Sequence, residues 1–126
     1  MEEKDRGIWV ADNRLYLDED NILHVIRVGV VDKEAAIEIA SSALKLVELV
    51  DGKVKILTDL NRAGGSSSEA RRVYQEMLEH ERFGRLALCG LHPVARVIAS
   101  FTMGVTKKRT VRFFATKAEA LAWLKD

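Results

Sequence analysis

The chain has 126 residues, 48% of them hydrophobic and 31% charged, with a formal net charge of +1. That is the length and composition of one globular domain, 1–126, with enough apolar material for a core. A near-neutral molecule carries no field that would demand nucleic acid or an anionic membrane surface. No apolar run approaches the roughly 20 residues of a membrane span. Met1–Arg6 is short and mixed in charge, with no signal-peptide apolar region, so the expected location is cytoplasmic and reduced. The one cysteine, Cys89, sits within the run Leu86-Ala87-Leu88 and reads as a buried small hydrophobe rather than a reactive thiol.

In chain order, Ile8–Ala11 and Leu15–Leu17 are short, aromatic and β-branched, which predicts a hairpin or two edge segments. Asp18-Glu19-Asp20-Asn21 reads as a turn. From Ile22 to Val28 the residues alternate. Ile22, His24, Ile26 and Val28 share one face, while Leu23, Val25 and Arg27 share the other, as in a strand covered on both sides. His24 is expected to be structural. Asp32 caps a first helix whose predicted stripe is Ala36, Ile37, Ala40, Ala43, Leu44 and Val47, closed by Asp51-Gly52.

A strand over Lys53–Leu60 follows, then a glycine-serine turn. Ser66 and Glu69 stand at capping-box spacing, which predicts a second helix starting there. Its buried stripe is Ala70, Val73, Tyr74 and Met77. Arg71, Arg72, Gln75, Glu76 and Glu79 face water, and Glu76, Glu79 and Glu81 can pair with Arg72 and Arg82. Arg85–Gly90 reads as a strand. Pro93 starts a third helix through Phe101, ending by Gly104. Lys107-Lys108-Arg109 is a basic link before the strand Val111–Phe114. Thr116 and Glu119 then open a last helix bearing Ala120, Leu121, Trp123 and Leu124. Strands first, then alternating helix and strand, specify an α/β fold with a mostly parallel sheet.

The stretch that carries chemistry is Lys55–Tyr74, KILTDLNRAGGSSSEARRVY. It lies where open α/β sheets place ligands, and a helix start offers free N–H groups suited to phosphate or carboxylate. It is neither a Walker loop nor GxGxxG, and a serine-capped flexible loop explains it equally. There is no G-x-S-x-G elbow. His24, His80 and His92 lie in unrelated contexts and show no metal-ligand spacing, so no catalytic, metal or cofactor residue is assigned. Phe113 and Phe114 beside the basic link read as core rather than base-stacking residues.

Three stretches carry a resemblance to a known family: KILTDLNRAGGSSSEARRVY, the strand–helix unit RLALCGLHPVARVIASF, and the C-terminal VRFFATKAEALAWL with its Ala-Leu-x-Trp-Leu. Together with the N-terminal strands, the pattern resembles the SpoIIAA-like branch of the STAS, or anti-anti-sigma-factor, family across nearly the whole chain. The resemblance implies a single-domain α/β fold acting through a regulatory protein partner rather than by catalysis. In the best-known members a serine in an Asp-Ser-Ser-Gly turn after the third strand is phosphorylated and controls partner binding. By count from Asp59-Leu60 the corresponding place is Ser67-Ser68-Glu69. Ser68 is nearest, or Ser67 after a one-residue indel. The aspartate before and the glycine after are both missing. The implied site is therefore a phosphoacceptor or partner contact among Ser66, Ser67 and Ser68, within a recognition surface of Asp59, Asn61, Arg62, Gly64, Gly65 and His92. The broad fold is also related to lipid carriers of the CRAL-TRIO type. A second reading is thus a carrier of a small apolar or anionic ligand, held between the turn and the strand end Cys89-Gly90-Leu91-His92. A serine hydrolase ranks third. An apolar edge near Trp9 and Tyr16 suggests a homodimer.

Overall fold

The computed structural model describes residues 6–90 and 111–126. Its six strands form one sheet in chain order: β1 (Gly7–Val10), β2 (Asn13–Leu17), β3 (Leu23–Val31), β4 (Val54–Ser66), β5 (Phe83–Cys89) and β6 (Val111–Phe114). β1, β2 and β3 run antiparallel, and β3 through β6 are parallel. The helices are α1 (Lys33–Val47), α2 (Ser68–Leu78) and α3 (Lys117–Lys125). The α/β class and the N-terminal hairpin are as the sequence predicts. The expected helix from Pro93, the basic link at 107–109 and His92 lie outside the described residues.

The N-terminal strands are held by two buried polar residues. Asn13, 3% exposed, donates from Nδ2 to the Val10 carbonyl at 3.1 Å and accepts the Val28 N–H on Oδ1 at 2.8 Å. It therefore starts β2 instead of lying in the turn. Asp18 organises the next turn by accepting the Asp20 and Ile22 N–H groups at 2.9 and 3.0 Å. Its other oxygen lies 2.7 Å from His24 Nε2, and the His24 ring stacks on Tyr16 at 4.5 Å. His24 is structural, as expected.

Alternation along the strands feeds two apolar layers. Leu23, Val25, Val54, Ile56, Leu86 and Leu88 face α1 and α2. On the other face Leu57, Ala87 and Cys89 meet Ala120 and Leu124 of α3. Asp32 caps α1 as predicted, accepting the Ala35 N–H at 2.9 Å. The buried stripe is rotated from the predicted one. It runs through Ala36, Ile39, Ala43, Leu46 and Val47, and Ile37 is 45% exposed. With apolar residues at both 37 and 39, helical spacing admits either stripe, and packing on the sheet selects Ile39.

Arginine and lysine satisfy the helix C-termini, whose last carbonyls have no partners within the helix. Arg82 does not pair with glutamates of α2. It donates to the Gly52 carbonyl at 2.9 Å, to Val47 at 3.0 Å, and to Val50, tying the end of α1 to the start of β5. Lys55 donates to the Leu124 carbonyl, and Arg85 to that of Trp123 at 3.0 Å, which clamps α3 to β4 and β5. At the other end of α3 the predicted cap forms. Thr116 Oγ1 accepts the Glu119 N–H at 3.2 Å and donates to its carboxylate at 3.0 Å.

Gly90, just past β5, has φ +94, and a Cβ there would lie 2.6 Å from the backbone nitrogen of Asn61. Both the left-handed backbone and the contact exclude a side chain. Gly90→Ala is expected to cost about 3 kcal/mol in chemical denaturation. Gly65→Ala, where an added Cβ meets nothing, should stay within about 0.5 kcal/mol. Equal losses would contradict the close approach.

Burial lowers the His24 pKa below 6.5, outweighing the hydrogen bond and charge of Asp18, which act to raise it. The unfolded chain therefore takes up a proton near pH 6.5 that the folded chain resists. Stability is full above that pH and is lost as pH falls towards the folded value. Burial acts to raise the Asp18 pKa, but the His24 hydrogen bond and two backbone N–H bonds hold it below 3.8, adding a second loss at lower pH. The melting temperature is expected to drop between about pH 7.5 and 5.5. His24→Phe, which keeps a ring against Tyr16, should flatten that drop. An unchanged slope in the variant would refute the assignment.

Candidate functional site

The strand predicted over Lys53–Leu60 continues to Ser66. Residues expected to form a loop are paired with β3, Arg62 opposite Val28, Ala63 opposite Gly29 and Ser66 opposite Val31, with two irregularities in register. The Ser67 N–H donates to the Val31 carbonyl at 3.3 Å, completing the pairing. The physical reason is that β3 itself runs on to Val31 and offers a partner edge. Gly64 is required by contact rather than by looseness: a Cβ there would sit 3.0 Å from the Gly29 carbonyl carbon and 3.1 Å from the Val30 nitrogen. β4 pairs with β5 only as far as Asp59 opposite Cys89. Among the described residues, Leu60–Ser66 and the end of β3 therefore form a two-stranded arm beyond the sheet, with Val30 79% exposed on it.

Because Ser66 is still strand, the helix cap shifts by one residue. Ser67 is the N-cap of α2, its Oγ accepting the Ala70 N–H at 3.0 Å, and the predicted Ser66–Glu69 capping box does not form. Ser66 is half-buried, whereas Ser67 and Ser68 are exposed. Arg71 donates to the Ser66 carbonyl at 2.7 Å, and Glu69 lies 4.0 Å from Lys33. Three serines, an arginine and the free N–H groups of a helix start thus meet at one rim of the sheet.

The other sequence-predicted residues divide. Arg62, Gly64 and Gly65 are exposed on the arm. Asp59 and Asn61 are engaged with each other, the carboxylate accepting the Asn61 backbone N–H at 2.9 Å and its amide at 2.8 Å. Among the described residues no histidine bonds any of the three serines, and no cluster of three or more His, Cys, Asp or Glu could hold a metal. Cys89 is 1% exposed, and burial, followed by the Asp59 charge, pushes its thiol pKa up, which suits the core role.

Below the arm, between the sheet and α1 and α2, lies a cavity of about 230 Å³. It occupies the side of the sheet opposite Cys89, so the strand end at Cys89-Gly90 is not its wall. Arg27 from β3, only 7% exposed, and Tyr74 from α2 both line it. The guanidinium lies 5.0 Å from the Tyr74 ring centroid. Burial pushes the Arg27 pKa down and the Tyr74 pKa up. Arg27 Nε and Tyr74 Oη are buried without a hydrogen-bond partner among the described residues. Neither residue is singled out for function by the sequence reading. The available signal was Arg27 sharing a strand face with Leu23 and Val25. Gln75, predicted to face water, also lines this cavity.

The fold is SpoIIAA-like. A protein of the DUF3478 family from Shewanella loihica PV-4, described as having a SpoIIAA-like fold, superposes with a TM-score of 0.66 at 19% identity, covering 89% of this chain and 91% of that one. The anti-sigma factor antagonist SpoIIAA in its unphosphorylated form gives 0.63 at 18% identity, covering 90% and 97%. The Bacillus cell fate determinant SpoIIAA in the phosphorylated form gives 0.61 at 16%, covering 89% and 98%. A comparison with curated proteins finds no match. Residues 15–126 match the model of one protein family, and the chain belongs to it: DUF7793, a domain of unknown function.

Proposed function

We propose that the chain is a non-enzymatic regulatory module that binds a protein partner through the β3–β4 arm and the start of α2, controlled by phosphorylation at Ser67 or Ser68. The observation that carries this reading is the exposure of both serines at the N-terminus of α2, beside an arm whose Val30, Asn61 and Arg62 are open to solvent. Similar folds belong to the anti-sigma factor antagonist SpoIIAA in its unphosphorylated form and to SpoIIAA in its phosphorylated form, which supports control by phosphorylation. A phosphate on Ser67 would sit on the free N–H groups of the helix start. On Ser68 it would project outward and change the charge of the rim. Asn61, Arg62, Gly64 and Gly65 supply the neighbouring surface, on an arm whose backbone beyond Asp59 has no β5 partner among the described residues and which a partner strand could meet. Trp9, 66% exposed on the edge strand β1, supports self-pairing as a homodimer through a separate edge.

Incubation with extract of the source cells and ATP, followed by mass mapping, is expected to place one phosphate on Ser67 or Ser68. A Ser67→Ala/Ser68→Ala variant should remain unmodified. An unmodified wild-type chain, or a phosphate elsewhere that the double variant retains, would overturn the switch.

A further inference from the structure

We infer that the cavity beneath α1 and α2 is a binding site for a small monocarboxylate with an apolar body, its carboxylate held by the Arg27 guanidinium and the Tyr74 hydroxyl. The inference stands apart from the partner-binding reading, because its polar anchors lie on the inner face of β3 and α2 and it uses neither Ser67 nor Ser68, although Gly64 and Ser66 of the arm also line the cavity.

Charge is the first argument. Two arginines, Arg27 and Arg71, line the cavity, and no aspartate or glutamate does among the described residues. Arg27 is 7% exposed, and its only charge-relevant neighbour among the described residues is the face of the Tyr74 ring. A buried cation with no counter-ion is among the costliest arrangements in a protein interior, and an anion entering the cavity relieves it.

The second argument is the pair of orphan polar atoms. Arg27 Nε and Tyr74 Oη are buried without hydrogen-bond partners among the described residues. A guanidinium presents its N–H groups as a fork that matches the two oxygens of a carboxylate, and a phenol can donate one more hydrogen bond to the same group. The two side chains lie against each other, so one carboxylate can address both.

The remaining lining sets the rest of the ligand. Val25, Ile39, Ile56, Leu60, Met77 and Leu88 surround the charged end with apolar surface. An engineered apolar cavity of about 150 Å³ accommodates benzene. The roughly 230 Å³ here fits an aryl or short acyl chain bearing one carboxylate. Thr58, Ser66, Arg71 and Gln75 add polar groups to the wall, but inorganic phosphate has no apolar body to cover the hydrocarbon part of the lining and gains nothing from it.

Titration calorimetry of the full chain with sodium octanoate, sodium benzoate, 1-octanol and inorganic phosphate tests the site. Octanoate or benzoate is expected to bind one to one, and to shift the methyl resonances of Ile39 and Ile56. Octanol, matching octanoate in chain length without the charge, should bind on the order of tenfold more weakly, and phosphate more weakly still. Arg27→Met should abolish the preference for octanoate over octanol, and Tyr74→Phe should weaken octanoate several-fold while sparing octanol. If Arg27→Met does not fold, the wild-type comparison and Tyr74→Phe decide alone. The site is refuted if neither carboxylate binds, if octanol or phosphate matches octanoate, or if octanoate affinity survives the two substitutions unchanged.

Discussion

The parallel pairing of β3 with β4 is the constraint on which the rest of the molecule depends. Nine residues of β3 and thirteen of β4 run side by side. Among the described residues this pairing extends beyond that of β4 with β5, and along it Gly64 lies against the backbone of Gly29 and Val30 with no room for a side chain. It determines where α2 begins, since the helix can start only after Ser66 has left the strand. It also sets which face each β3 residue presents, and thereby carries Arg27 inward beside Leu23 and Val25. The exposed serine rim and the buried cation are two consequences of one ladder.

The two helical layers are attached by different means. α1 and α2 cover the sheet through the larger apolar cluster, with Ile39, Ala43, Ala70 and Leu78 meeting Val25, Ile56 and Leu86. α3 covers the other face with a smaller cluster and is secured at its C-terminus by Lys55 and Arg85, whose charges suit the negative end of the helix dipole. Arg82 plays the same part for α1. Basic side chains on or next to the strands therefore complete the backbone hydrogen bonding that these two helices cannot complete themselves. Arg27 makes no such bond. It finds no carbonyl or carboxylate among the described residues, and its guanidinium lies over an aromatic ring at the wall of a cavity.

Much of this architecture is legible in the sequence because its causes are local. Asp32 and Thr116 cap the helices that follow them, Asp18–Asn21 turns, and the alternation from Ile22 onward marks β3. The misreadings share the opposite cause. Asn61–Gly65 looks like a loop because glycine and asparagine favour turns locally, yet a strand 34 residues earlier in the chain supplies partners for it. Arg82 looks like a helix-surface ion-pair residue, but its acceptors lie 30 or more positions away. The α1 stripe slipped because Ile37 and Ile39 are equivalent until the sheet is in place. Arg27 was visible only as a cation on an apolar face, a signal whose meaning depends on the helix that brings Tyr74 over it.

Amide hydrogen exchange across β4 tests the central claim most directly. The β3–β4 ladder predicts that backbone amides at the paired positions between Arg62 and Ser66 exchange slowly, within reach of those at Ile56–Thr58. Exchange at the rate of an open loop throughout Asn61–Ser66, with protection ending at Leu60, would contradict it. The arm and the placement of the serine rim would fall with it.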